Sequence, residues 1–116
     1  MTTVAAIDVG TNSTNLLVID NHGTEITRTI TSTRLGEGLH TTGELSLDAM
    51  TRTVEVIASY VATAQSLGAT KIHIVGTAAC RRARNTAIFS ELLQKKTELT
   101  LEVLSELDEA ALTFTG

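Results

Sequence analysis

The sequence has a single cysteine, Cys80, so no internal disulfide can form. A lone thiol agrees with a reducing compartment, and its simplest role is that of a small buried residue rather than a nucleophile. No apolar run is long enough to cross a bilayer, and the opening MTTVAAIDVG lacks the basic segment and long apolar stretch of a signal peptide. A cytoplasmic chain with no membrane partner is expected. Positive charge is also scarce: 9 Lys and Arg stand against 13 Asp and Glu, a formal net charge of -4, which argues against general nucleic-acid binding. His22, His40 and His73 have no metal-ligand spacing. What the chain does have is ordinary globular material, 42% hydrophobic and 19% charged over 116 residues, enough for one domain with a real core. One basic spot interrupts the acidic balance, at Arg81, Arg82 and Arg84.

Hydrophobic period and punctuation divide the chain. Residues 3–9 and 15–20 are short apolar runs rich in β-branched side chains, and 24–35 alternate weakly after the turn at Asn21 to Gly23. These predict three consecutive antiparallel strands. The period then lengthens: Leu47, Met50, Val54, Ile57, Val61 and Ala64 recur at steps of three and four, with Ser46 as N-cap and Gly68 as stop. A long amphipathic helix over 47–67 follows. KIHIVGT, 71–77, reads as a buried strand, Asn85 as the cap of a helix carrying Ile88, Phe89, Leu92 and Leu93, and LTLEVL, 99–104, as another strand. Ser105 and Asp108 have capping-box spacing ahead of Ala110, Ala111, Leu112 and Phe114, which predicts a final helix. Strands reached through helices must lie parallel to a neighbour, so the sheet is a mixed one of five strands. That α/β order is similar to the ribonuclease H-like plan of the actin, hexokinase and heat-shock ATPase superfamily.

Between the first two strands lies DVGTNS, Asp8 to Ser13. Gly, Asn, Asp and Ser suit any hairpin turn. The crowding of Asp8, Thr11, Asn12 and Ser13 exceeds what a turn needs, and a phosphate would use all of it. Backbone N–H groups of a tight turn form an anion-binding concavity, small hydroxyls add donors, and an acid at the strand end can hold a divalent cation against the phosphate. Turn and phosphate loop both remain open on spacing alone.

Four stretches in order carry a family likeness. AAIDVGTNSTNLLVID, TRLGEGL at 33–39, GTAACRRARN at 76–85 and LEVLSELDEAALTFTG at 101–116 resemble the motifs of the exopolyphosphatase and guanosine pentaphosphate phosphohydrolase (Ppx/GppA) family, across nearly the whole chain. Thr11 stands where that family usually has Ser, keeping the hydroxyl, and Gly76 where Ala is common. The resemblance implies a phosphohydrolase that removes terminal phosphate from inorganic polyphosphate or guanosine pentaphosphate. Family members resemble two such halves closing on a cleft, the second opening with its own glycine-rich phosphate loop. No such loop occurs here. Residues 1–116 are therefore expected to be the N-terminal ribonuclease H-like half of a longer protein that is a homodimer at full length, with the second half absent.

The resemblance also implies roles. Glu109 would be the catalytic base that deprotonates the attacking water, a task a carboxylate can perform while cations offset the phosphoryl charge. Its plain alternative is an acid in a helix first turn, which the helix dipole favours. Gly10, Thr11, Asn12, Ser13 and Arg81 would bind phosphate, Arg81 through a fork that a lysine cannot reproduce. Asp8 would hold Mg²⁺ or another divalent cation, directly or through water, or else make a structural bond to the turn. Arg82 and Arg84 read as solvated or as long-range phosphate steering, and Glu37 as a loop residue. Two other functions share the plan: a phosphotransferase of the acetate- or sugar-kinase kind, and a non-catalytic polyphosphate- or nucleotide-binding module.

Overall fold

The computed structural model describes residues 2–115, with side-chain surroundings through Ala111. Three strands, β1 (Thr3–Val9), β2 (Ser13–Ile19) and β3 (Glu25–Ser32), form an antiparallel meander. A short helix α1 (Leu39–Thr42) leads into the long α2 (Leu47–Ser66), and then β4 (Ala69–Gly76) returns parallel to β1. A one-turn helix α3 (Ala78–Arg82), the helix α4 (Thr86–Thr97), β5 (Leu101–Val103) and α5 (Glu106–Thr115) complete the order. Neighbours across the sheet run β3-β2-β1-β4-β5, with β5 parallel to β4. This is the mixed five-strand sheet that the sequence predicts.

Alternation in the strands explains the layering. Ala5, Ile7 and Val9 of β1 and Leu16 and Val18 of β2 are fully buried, while Ala6 and Asp8 between them are exposed. A period of two puts the first set on one face and the second on the other. The first face receives α2 through Met50, Val54, Ile57, Val61 and Ala64, and α4 through Phe89 and Leu93. Removing a side chain such as Ile57, 0% exposed, would cost about 2–5 kcal/mol through lost transfer and the cavity left behind. Ser46 caps α2 by accepting from the Ala49 N–H at 3.1 Å. Ser105 likewise accepts from Asp108 at 3.1 Å and starts α5.

Four expectations need correction. Leu47 is 65% exposed, although Ala49 and Met50 in the same turn are buried. Ile88 is half exposed, so α4 buries a narrower stripe than its sequence suggests. The third strand stops at Ser32 rather than 35, since Arg34 takes a positive φ of 48° and the chain leaves the sheet. Asn85 precedes α4 but makes no side-chain cap bond; its amide faces Leu45 instead. There Oδ1 accepts from the Leu45 N–H at 2.8 Å and Nδ2 donates to the Leu45 carbonyl at 2.9 Å. Leu112 and Phe114, assigned to the apolar side of the last helix, lie outside the described side chains.

Candidate functional site

DVGTNS is a hairpin turn, and a braced one. The Gly10 N–H donates to the Ser13 carbonyl at 2.9 Å, and Val9 pairs with Thr14 directly beyond. The turn's outer carbonyls are occupied: Asn12 accepts from Thr33 and Arg34 at 3.1 and 3.0 Å, and Thr11 accepts from Gly36 at 3.0 Å. Segment 33–36 thus clasps the turn, and the approach is close. A methyl on Gly36 would lie 2.4 Å from the Thr11 Cγ2. Arg52 of α2, a residue the sequence reading did not single out, fixes the clasp from behind. Its Nε donates to the Thr33 carbonyl at 2.7 Å, and its Nη2 donates to the Arg34 carbonyl at 3.2 Å and pairs with Glu37 at 3.0 Å. The Gly10 N–H is thus engaged inside the turn.

The turn stands at the rim where β1 and β4 end together. The Thr77 N–H donates to the Val9 carbonyl at 3.2 Å, and α3 begins at once. Cys80 of that helix packs into the space that Gly76 leaves: a methyl on Gly76 would meet its Sγ at 2.6 Å. Burial pushes the Cys80 thiol up to about 11 despite the opposing charge of Arg81, so it stays neutral and unreactive at ordinary pH. The next residue reaches across the rim. Arg81 Nη1 donates to the Leu104 carbonyl at 2.9 Å and pairs with Glu109 Oε1 at 2.8 Å.

Asp8 completes this side. Its carboxyl is raised above the usual carboxylate range, first by desolvation and then by the negative charge of Glu109. Asp8, Arg81 and Glu109 are therefore one electrostatic group, although they lie 73 and 28 positions apart in the chain. Directly across the ladder from Asp8 is Asn15, on the same face of the sheet. Its Oδ1 is buried without a hydrogen-bond partner among the described residues. An orphaned buried carbonyl oxygen costs about 1–3 kcal/mol and calls for an explanation. The sequence signal for it was an amide inside the apolar run STNLLVI, in register with an acid.

These oxygens suit a hard cation. Asp8, the Asn15 Oδ1 and Glu109 offer carboxylate and amide donors of the kind Mg²⁺ takes, and a cation would relieve the repulsion between the two acids. The described residues contain no cluster of three His, Cys, Asp or Glu, so water and phosphate oxygens would have to supply the other positions. On the other flank of the turn, Thr11, Gly36, Leu39, His40, Gly43 and Arg82 line a hollow of about 190 Å³.

Known proteins resemble this chain in sequence and fold. The family model described as the Ppx/GppA phosphatase family matches residues 17–116. The chain belongs to the Ppx/GppA phosphatase family. It is 30% identical to exopolyphosphatase 1 of Mycobacterium leprae over 115 residues, covering 96% of this chain and 34% of that protein. It is 34% identical to the guanosine-5'-triphosphate,3'-diphosphate pyrophosphatase of Vibrio parahaemolyticus, covering 97% of this chain and 23% of that one. The crystal structure of the Aquifex aeolicus Ppx/GppA family member superposes with a TM-score of 0.87 at 29% identity, over 93% of this chain and 36% of its own. The chain thus spans about a quarter to a third of the relatives it matches. Its fold is that of the Ppx/GppA structures, the actin- and hexokinase-like plan expected from the element order.

Proposed function

We propose that this chain forms one wall of a phosphohydrolase site that releases terminal phosphate from inorganic polyphosphate or guanosine pentaphosphate. The observation that carries the reading is the contact of Arg81 with Glu109 beside the raised carboxyl of Asp8, at the rim occupied by the Thr11–Ser13 turn. A base, a fork for phosphate oxygens and a small hydroxyl-rich turn converge there, and phosphoryl transfer needs little more than positioning and charge stabilisation. The family relationship favours hydrolysis over transfer to a sugar or acetate, since the relatives above are named for phosphatase or pyrophosphatase activity.

In this reading Thr11, Asn12 and Ser13 hold the terminal phosphate. Arg81 neutralises its oxygens. Glu109 orients the attacking water and takes its proton at Oε1 or Oε2. Asp8, with the Asn15 Oδ1 behind it, would hold Mg²⁺. That ion would offset charge on the phosphoryl oxygens.

The test is phosphate release by a protein of the relatives' full length that contains this chain. Glu109→Gln should lower kcat by roughly 10²–10⁴-fold, the usual loss for a general base, with KM unchanged or lower. A folded Glu109→Gln protein with near wild-type kcat would remove the catalytic role.

A further inference from the structure

Arg81 and Arg82 are adjacent, yet they serve opposite flanks of the turn. Arg81 turns toward Glu109 and Leu104 through its Nη1. Arg82 instead lines the hollow of about 190 Å³ that also receives Thr11, and its guanidinium makes no hydrogen bond or ion pair with any described residue. Two of its lining residues are glycines packed closely against neighbours. Gly36 lies against the Thr11 Cγ2, and Gly43, at φ +75°, lies against the Arg84 guanidinium; a methyl at either would clash at 2.4 and 2.6 Å. Arg84 is held there by its bond to the Thr42 carbonyl at 3.0 Å and by its N–H to the Gly43 carbonyl at 3.0 Å. The result is a notch with room for several waters, each of about 30 Å³, bordered by an uncommitted arginine, an exposed His40 and a threonine of the turn.

On an acidic chain, a guanidinium beside such a turn with no partner among the described residues is an anion-binding group. We infer that the Arg82 notch is a second phosphoryl subsite, which takes the phosphate next to the terminal one and so favours substrates with at least two linked phosphates. This rests on the reading of the turn as the terminal-phosphate grip. Thr11 is both a residue of the turn and a lining residue of the notch, so it would mark the junction between the subsites. Arg82 binds the part of the substrate that leaves, and is a specificity residue rather than a participant in proton transfer.

The experiment compares binding of two probes to the full-length protein containing this chain: orthophosphate, with one phosphorus, and methylenediphosphonate, with two and a bridge that water cannot cleave. Titration calorimetry on Arg82→Ala, checked for folding by its melting curve, should show methylenediphosphonate weakened by about tenfold, as for a lost hydrogen bond to a charged group, with orthophosphate within twofold of wild type. Arg82→Lys should recover part of the loss, and the remote exposed Lys71→Ala should change neither. Unchanged methylenediphosphonate affinity in Arg82→Ala overturns the subsite and leaves the proposed function standing. Equal weakening of both probes, matched by Lys71→Ala, overturns it in favour of long-range steering. A wild-type protein that binds neither probe overturns the subsite and the phosphate-grip reading together.

Discussion

Arg81 Nη1 lies 2.8 Å from Glu109 Oε1 and 2.9 Å from the Leu104 carbonyl, so one nitrogen ties the α3 helix to the start of α5. Both side chains are partly exposed, at 21% and 38%. A pair in that setting contributes on the order of 1 kcal/mol or less to stability. Arg81→Lys should therefore melt within a few degrees of wild type. Its phosphate release should nevertheless fall at least tenfold in kcat/KM, because an ammonium cannot reproduce the fork. A large melting shift with unchanged kinetics would make the pair a strut and nothing more.

The clasp on the turn can be tested by steric compensation. Gly36→Ala sets a methyl 2.4 Å from the Thr11 Cγ2 and should destabilise the protein by about 1–3 kcal/mol, the usual cost of overpacking. Thr11→Ser removes that methyl and keeps the hydroxyl. The double variant should recover most of the stability, as read by denaturant unfolding. If the two effects simply add, segment 33–36 does not sit against Thr11 as described.

Asn85 joins segments forty positions apart by giving and accepting one bond with the Leu45 backbone. Leu45 is 2% exposed, so its peptide groups have no ready water to replace the amide. Asn85→Ala should cost about 1–3 kcal/mol. Asn85→Asp keeps the acceptor but loses the donor, and should remain destabilised. A mere helix cap would tolerate Asp well, so equal stability of Asn85→Asp and wild type would refute the bridge.

At the β2–β3 turn, the Asp20 carboxylate accepts the N–H groups of Thr24 and His22, each at 2.9 Å. Those bonds, Thr24 first, hold its carboxyl below the ordinary value of 3.8. A carboxyl depressed in the folded state stabilises it above the unfolded value and loses that contribution as pH falls through the folded one. The melting temperature of Asp20→Ala should lie below wild type by a constant margin between about pH 5 and 7, and the margin should close below pH 3.8. A margin that widens on acidification would reverse the sign of this shift.

Local chemistry was legible wherever it repeats. Steps of three and four from Met50 to Ala64, alternation through Ala5, Ile7 and Val9, and the Ser46 and Ser105 caps each act within a few residues. For that reason the element order, the mixed sheet and the hairpin at DVGTNS could be read from sequence. The motif residues Asp8, Arg81 and Glu109 were also visible as a set, through the family likeness.

Only tertiary structure decided how they meet. Nothing in the sequence says that Arg81 faces Glu109 while Arg82 lines the Thr11 hollow, because adjacent residues on a one-turn helix diverge by about 100° and the packing of Cys80 against Gly76 sets which one points where. The same holds for Arg52 behind the clasp, Asn85 on Leu45 and the orphaned Asn15 oxygen opposite Asp8. A polar side chain's partner depends on the register of strands and the seating of helices, and those distances are fixed by burial of the apolar faces rather than by the polar residue itself.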